Sequence, residues 1–314
     1  MLNIYTTKNG KLNKTDKLGK DMWVNITNPT PEEINTIIKH SNIDINHLNA
    51  ALDIEEYSRV EITPNYTIIL IDVPLKEIRN ETNAFTTIPL TILLINNCIV
   101  TISLQETELM KPFIDDINIH VDTANSIKFT YQLFLRIASL YQTYLRVIDS
   151  KRMEIEAKFK GKTKKSDLIE LHELESNLVY FATSLSANSI VLEKLLMLSK
   201  SNEHSQNDVD ILNNAIIEHR QAAEMTNIYR SIISGTRELL ASIIDNNLNT
   251  VMKLMTSITV VMSIPAIISG FYGMNVNPDS IPLADVSGAF LLVSGITVAI
   301  CISAILILMK KDML

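Results

Sequence analysis

Two uncharged stretches near the end of the sequence constrain this chain most. Residues 254–278 contain no Asp, Glu, Lys or Arg, and neither do residues 286–309. Each stretch exceeds the ~20 residues that a helix needs to cross the hydrocarbon of a bilayer. The pattern predicts a transmembrane hairpin with spans at about 251–271 and 286–309 and an outer loop at 272–285. Buried core helices are the alternative, and two such runs in succession favour the hairpin.

The lysines that flank these stretches predict an orientation. Lys253 precedes the first, Lys310 and Lys311 follow the second, and the connecting loop carries Asp279 and Asp285 without a Lys or Arg. By the positive-inside tendency, both termini lie in the cytoplasm and the loop lies outside. The first 20 residues have scattered lysines and no apolar core, so we expect no signal peptide. The prediction is a multi-pass protein of the cell membrane.

Composition narrows the range of functions. The 314 residues carry a formal charge of −7, which argues against nucleic acid as the main partner. Cys98 and Cys301 lie far apart, so no disulfide framework or thiolate metal site is indicated. The sequence has no glycine-rich phosphate loop, no paired histidines of the metalloprotease type and no triad in a supporting context. We therefore expect no enzyme, no cofactor and no nucleotide-driven pump.

The rest of the chain reads as α+β. Runs rich in β-branched residues predict strands at 22–27, 66–73, 86–95 and 98–104, and a helix is expected to begin after a Thr30 cap. Together they form a predicted α/β domain over residues 1–124.

Helical spacing dominates from about residue 125 onward. It predicts helices at 126–160 and 166–199, a turn at Gly161 within a basic run ending at Lys165, and a loop at 201–206. No proline occurs between 208 and Pro265, so one helix of roughly 80 Å is expected there. Residues 125–250 are therefore predicted to be a helical region with a long stalk, and 251–314 the hairpin.

One face of the first span is more polar than a membrane anchor requires. On a helical wheel, a stripe within roughly 80° contains Asn249, Met252, Thr256, Thr259, Ser263 and Gly270. Asp245 and Glu238 extend this stripe toward the cytoplasm. Small and hydroxyl residues can simply pack helix against helix. The other interpretation is a water-filled path for cations, which needs a ring of several subunits because one hairpin encloses no pore.

The outer end of the first span carries the sequence Phe271-Tyr-Gly-Met-Asn275. A Gly-Met-Asn triplet that closes the first of two C-terminal spans resembles the signature of the CorA magnesium transporter family. The entry to the span, 249–256, is also similar to the family, as are 23–33 and 53–61 in the body. The family's span proline sits one residue further from the triplet than Pro265 does. The outer loop lacks the family's common glutamate, and Asp279 and Asp285 are the candidate substitutes for it.

The resemblance implies a homopentameric funnel with an α/β cytoplasmic domain, which takes up Mg²⁺ down the electrochemical gradient, with Co²⁺ and Ni²⁺ as further candidate ions. Gly273, Met274 and Asn275 would form the selectivity filter at the outer entrance. Asn249 would form a polar ring, Met252 a hydrophobic constriction and Glu238 an acidic ring at the inner mouth. The family also closes when Mg²⁺ binds carboxylates between cytoplasmic subunits. The candidates for those sites are Asp208, Asp210 and Glu218, although acids at a helix start are commonly dipole partners.

Two alternatives stay open. The first is a Zn²⁺ transporter on the same fold, against which Met274 argues, because zinc-active relatives usually vary the middle residue of the triplet. The second is a membrane-anchored cytoplasmic sensor or scaffold that transports nothing. An anchor tolerates leucine along the polar stripe, whereas a wet pore does not.

Overall fold

A computed structural model describes residues 1–8, 11–17, 19–34, 43–79, 82–115, 120–158, 165–201, 205–275, 282–283 and 286–313. The chain divides into two compact units, Met1–Arg237 and Glu238–Leu314. The first contains a sheet and long helices, so the chain is α+β. The predicted three-part division at residues 124 and 250 stays a prediction about domains.

A seven-stranded sheet with the order β2-β1-β3-β7-β6-β5-β4 forms the centre of the first unit. The pairing is antiparallel except between β3 and β7, which run parallel. All four predicted strands are present, and the long β5–β6 hairpin extends further than predicted. The strands are β1 (Leu2–Lys8), β2 (Lys11–Thr15), β3 (Met22–Thr27), β4 (Arg59–Ile62), β5 (Thr67–Arg79), β6 (Thr82–Ile95) and β7 (Cys98–Ser103).

The long helices agree with the predicted ones, and two short helices, α1 and α2, were not predicted. They are α1 (Ile45–Ala50), α2 (Lys111–Asp115), α3 (Ser126–Ala157), α4 (Lys165–Ser201), α5 (Gln206–Tyr272) and α6 (Ala289–Lys310). The α5 helix has 67 residues, which corresponds to about 100 Å, and some of its residues belong to each unit. The turn predicted at Gly161 and the centre of the loop at 201–206 lie outside the described residues.

The helix predicted after Thr30 begins as expected. Its first turn, residues 31–34, is helical. The Thr30 N–H donates to Glu33 Oε2 at 2.9 Å, and the Glu33 N–H donates to Thr30 Oγ1 at 3.3 Å. This reciprocal pair is a capping box, which satisfies donors that the first turn of a helix leaves free.

Apolar side chains are buried on both sides of the sheet. One cluster contains Ile26, Leu48, Leu70 and Ile102, and so joins α1 to the sheet. On another side, Trp23 stacks edge-on against Phe129 of α3, with ring centroids 5.0 Å apart. The Trp23 indole N–H donates to Thr101 Oγ1 at 2.9 Å, so this fully buried ring also satisfies its polar atom.

Asn188 of α4 ties that helix to the edge of the sheet. The Asp72 N–H donates to Asn188 Oδ1, and Asn188 Nδ2 donates to the Asp72 carbonyl, both at 2.8 Å. Strand β4 begins at Arg59, opposite Leu70, so Asp72 lies beyond its end. The fully buried amide of Asn188 makes the two hydrogen bonds that a paired strand residue would make.

We expect Asn188→Leu to lower the free energy of unfolding of the first unit by about 2–4 kcal/mol, because two buried backbone groups lose a partner. Urea unfolding of the detergent-solubilised full chain, followed by the fluorescence of the single tryptophan, Trp23, measures this. Ser186→Ala, at an exposed position on the same helix, is the control. Equal urea midpoints for Asn188→Leu and the parent would contradict the stabilising role of the Asn188–Asp72 hydrogen bonds.

Candidate ion pathway

Three helices within the described residues are long and apolar enough to cross a membrane, judged by length and composition: α4, α5 and α6. In the most apolar part of α4, 39% of the residues are buried within the protein, against 6% for α5 and none for α6. Packing against the sheet, as at Asn188, accounts for the apolar face of α4. The other two helices match the predicted spans and leave their apolar surface uncovered, as a membrane segment does.

One face of α5 turns toward α6. Its members are four residues at helical spacing that are buried or half-buried in a segment where nearly everything else is exposed: Ser257, Val261, Ile264 and Ile268. We call these four residues the hairpin face. Toward the Gly-Met-Asn end the two helices stand apart and leave an apolar cleft of about 850 Å³, lined by residues of both.

The residues after α6 fold back onto the hairpin face. Asp312 adopts a left-handed conformation (φ 52°), and the Met313 N–H donates to the Leu308 carbonyl at 3.1 Å, which closes the end of the helix. The Met313 carbonyl accepts a hydrogen bond from Ser257 Oγ at 2.8 Å. Lys253 Nζ lies 3.4 Å from the Asp312 carbonyl. We call this group of contacts the C-terminal latch.

A proline interrupts the hydrogen bonding of α5 in the middle of its span. Pro265 has no N–H, so the carbonyl of Val261 loses its donor within the helix. Cys301 of α6 places its Sγ 3.9 Å from that carbonyl oxygen. A thiol is a weak donor, and this contact is the one that α6 offers to the unpaired group.

The predicted polar stripe lies on a different side of α5 from the hairpin face. On the helical wheel the centres of the two faces are separated by roughly 130°. Within the single chain the stripe is exposed at every position except Ser263, which is half-buried; the exposed members are Glu238, Asp245, Asn249, Met252, Thr256, Thr259 and Gly270. The chain therefore does not use this stripe to close its own hairpin.

Two hydroxyls of the stripe donate to their own helix. Thr259 Oγ1 donates to the Met255 carbonyl, and Ser263 Oγ to the Val260 carbonyl, each at 2.8 Å. With the proton so engaged, the lone pairs of each oxygen stay free to accept. Water bound to a cation directs its hydrogens outward, so acceptors of this kind suit a hydrated ion.

The Gly-Met-Asn triplet follows the last residue of α5. The Gly273 N–H donates to the Ser269 carbonyl at 2.9 Å, and the Met274 N–H to the Phe271 carbonyl at 3.3 Å. A Cβ on Gly273 would lie only 3.2 Å from the Ser269 carbonyl oxygen, so a larger residue requires the backbone to shift. All three residues of the triplet are exposed.

The electrostatics of this helix end favour a cation. The last turn of α5 contains no basic residue. The partial negative charge of its final carbonyls is therefore not offset by a side chain of the same turn. Asp279 and Asp285, the predicted acids of the outer loop, lie outside the described residues.

The three candidate regulatory carboxylates lie in the first part of α5. Asp208 is buried, accepts from Asn125 Nδ2 at 3.4 Å, and adds to the effect of burial that raises the pKa of Tyr131 to about 12. Asp210 accepts from Gln206 at 3.0 Å. Glu218 accepts from Gln142 at 2.7 Å. Among the residues that the structure describes, no group of three or more His, Cys, Asp or Glu in one chain could hold a metal ion.

Almost the whole chain matches a known protein family. The model of the CorA-like Mg²⁺ transporter protein family matches residues 20–311. The chain belongs to the CorA family. A cobalt/magnesium transport protein CorA from Methanocaldococcus jannaschii is 26% identical over 286 residues, covering 89% of this chain and 87% of that protein. Another from Thermotoga maritima is 24% identical over 268 residues, covering 81% of this chain and 72% of that protein.

A solved structure confirms the fold at full length. The complete structure of the CorA magnesium transporter from M. jannaschii superimposes with a TM-score of 0.77 and 23% identity. The match covers 98% of this chain and 96% of that one. The CorA fold therefore includes the sheet unit, the long helices and the final hairpin.

Sequence reasoning placed the polar stripe of this CorA protein but missed the C-terminal latch. Ser257 stands between stripe positions in the sequence, and its contact with Met313 joins residues 56 apart. The one available signal was its place on the wheel, since a hydroxyl on the face that packs against a neighbouring segment can hydrogen-bond across to it.

We expect Ser257→Ala to release the C-terminal latch, because the Met313 carbonyl loses its donor. Trypsin should then cleave after Lys310 or Lys311 several-fold faster, as followed by intact mass of the detergent-solubilised protein. Thr256→Ala is the matched control, since the adjacent Thr256 side chain is exposed. The same cleavage rate in Ser257→Ala and the parent would refute the latch.

Proposed function

We propose that this CorA protein is one subunit of a homopentameric channel in the cell membrane, which takes up Mg²⁺ through a pore lined by the first transmembrane helix. The observation that carries the proposal is the exposed polar stripe of α5, which faces away from the chain's own second span. Both termini are proposed to lie in the cytoplasm, with residues 251–271 and 286–309 as the spans.

An oligomer follows from the geometry of the hairpin. Thr256 and Thr259 are exposed within the span, and polar side chains that face hydrocarbon cost free energy where their lone pairs or donors lack partners. One hairpin cannot surround a pore, but copies arranged about a symmetry axis can turn every stripe toward shared water. The number five comes from the family resemblance. The functional partners are therefore other copies of the chain, the bilayer and divalent cations.

The chemistry of the stripe suits a hydrated divalent ion. Mg²⁺ is small, prefers oxygen and gives up its water reluctantly. The stripe offers hydroxyl and amide oxygens and contains no His or Cys, the ligands that zinc sites favour. Glu238 and Asp245 raise the local cation concentration at the cytoplasmic mouth. An inside-negative potential drives uptake with ~2.3 kcal/mol per charge per 100 mV, doubled for a divalent ion.

The Gly-Met-Asn triplet is proposed as the outer filter. Gly273 lets the chain leave α5 without a clash, and the amide oxygen of Asn275 can accept from the ion's water shell. Repeated in each copy, these groups and the carbonyl ends of the helices surround one entrance. A filter that contacts the water shell reads ion size and charge, so Co²⁺ and Ni²⁺ are expected to permeate as well.

Asn275→Ala removes the proposed acceptor while keeping the backbone. We expect Mg²⁺ flux into vesicles containing the purified protein to fall at least tenfold, roughly the effect of losing one charge-assisted contact of about 1.5–3 kcal/mol. Growth of an uptake-deficient strain on low Mg²⁺ should fail in parallel. Rescue and flux at the parental level would remove the filter assignment.

Leucine substitution separates a pore from a simple anchor. Thr259→Leu should block flux because it places an apolar side chain in the proposed water path. Ser303→Leu in α6 is the matched control: Ser303 is also exposed and also donates to the carbonyl four residues earlier, that of Ala299. Flux in Thr259→Leu equal to that in Ser303→Leu would exclude the polar stripe as the pore lining, and absence of flux in the parent would favour the anchored sensor or scaffold over the channel.

Gating by cytoplasmic Mg²⁺ is part of the proposal. Asp208, Asp210 and Glu218 are its candidate ligands. Among the described residues, no group of three or more such ligands could hold a metal within one chain, and we propose that the sites combine carboxylates from two copies. We expect millimolar Mg²⁺ to slow proteolysis of the cytoplasmic body several-fold. The triple variant Asp208→Asn, Asp210→Asn, Glu218→Gln should abolish that protection. Protection that persists in the triple variant would exclude these candidates.

A further inference from the structure

A second cleft lies in the first unit, and it shares no lining residue with the polar stripe or the Gly-Met-Asn triplet. It opens between the beginning of β6 and the helices α3 and α4, and its volume is about 470 Å³. Sites for small organic molecules typically measure about 300–1,000 Å³. Its apolar floor consists of Phe85, Ile148 and Leu174, which are all at least 95% buried. The cleft is thus large enough and apolar enough to hold a small molecule.

The amide of Asn177 borders this cleft. The residue is only 5% exposed, and among the described residues its side chain makes no hydrogen bond. Asn188, about three turns further along α4, uses both ends of its amide. The polar atoms of Asn177 are not among the fully enclosed unpaired atoms of the described residues, so they face solvent in the cleft. A bound molecule can therefore replace water as their partner.

The charges at the cleft are unbalanced. Lys151 lies 3.1 Å from Glu170 and 3.5 Å from Glu154, and its hydrogen bond with Glu170 is the largest cause that raises its pKa. Its ammonium group is therefore already engaged. Glu173 also lines the cleft and makes no ion pair or hydrogen bond with any part of the chain that the structure describes. The charged residues that line the cleft are one lysine and two glutamates. Since the lysine pairs with Glu170, one negative charge remains, and Glu173 carries it.

We propose that this cleft binds a small organic cation, with a compact apolar body and an amidine, guanidine or ammonium group. The body packs on Phe85 and Leu174, and the cationic group pairs with Glu173. Asn177 lies four residues after Glu173 on the same face of α4, so its amide reaches the polar edge of the same ligand. The half-exposed ring of Tyr180 adds a cation–π contact at the entrance.

Benzamidine is a suitable probe because it joins a flat ring to an amidinium group. We would titrate it into the detergent-purified full-length protein and follow binding by isothermal calorimetry. We expect saturable binding of one molecule per chain. Benzamide, a neutral molecule of the same shape, should bind at least tenfold more weakly, as should benzamidine to Glu173→Gln.

Glu193→Gln is the matched control, because Glu193 is exposed on the same helix but does not line the cleft. It should bind benzamidine as the parent does. Unfolding curves from Trp23 fluorescence verify that both variants are folded. Absence of saturable binding at millimolar benzamidine, equal binding of benzamide, or unchanged affinity in Glu173→Gln would each overturn the proposal. The measurement needs no ion flux, so its failure would leave the proposed channel untouched.

Discussion

Backbone hydrogen bonding within a single helix is the constraint on which the described structure depends. In hydrocarbon no water satisfies a free N–H or C=O, so a spanning segment must pair its own backbone groups. The α5 helix does this over 67 residues with one interruption, at Pro265. Because the backbone of α5 pairs its own polar groups, its side chains can form three different surfaces around the helix: the hairpin face, the polar stripe and a surface for lipid.

The hairpin face and the polar stripe lie on different sides of α5. A membrane segment of only two helices can therefore pack its hairpin and still present a polar surface, as transport requires. Ser257 and Thr256 are neighbours in the sequence, yet the first is fully buried against the end of the hairpin and the second is exposed. One residue of rotation on a helix, ~100°, accounts for the difference. A hairpin that used its hydroxyls only for packing would show no such division, because its polar residues would gather on the hairpin face.

The sequence predicted the elements that carry strong periodicity. The helices at 126–160 and 166–199, the continuous α5 and both spans were recognisable because apolar residues recur at helical spacing over long distances. Strands β1, β2 and β4 were missed. The β2 sequence, Lys-Leu-Asn-Lys-Thr, is polar and largely exposed at one edge of the sheet, and β4 has only four residues at the other edge. Such strands are stabilised by their neighbours and have little signal of their own.

Contacts between distant residues lay beyond the reach of sequence patterns. Asn188 meets Asp72 across 116 residues, and the cleft beside Asn177 brings together three elements. For the ion pathway, the wheel predicted a polar face, and that face lies on a different side of α5 from the hairpin face; its role as a pore lining stays a prediction, because the way in which copies assemble depends on surfaces that one chain leaves open. The Gly-Met-Asn triplet indicated the family.

The interruption at Pro265 has a mechanical consequence. A carbonyl released by a proline in mid-membrane is a point where a helix bends at low cost, and the thiol of Cys301 reaches that point from the adjacent helix. Sliding of α5 along α6 lengthens this contact and leaves the Val261 carbonyl oxygen without a partner in hydrocarbon. Tilting of α5 about the contact keeps the partner. The contact from α6 thus serves as a pivot for α5, and tilting of α5 is favoured over sliding.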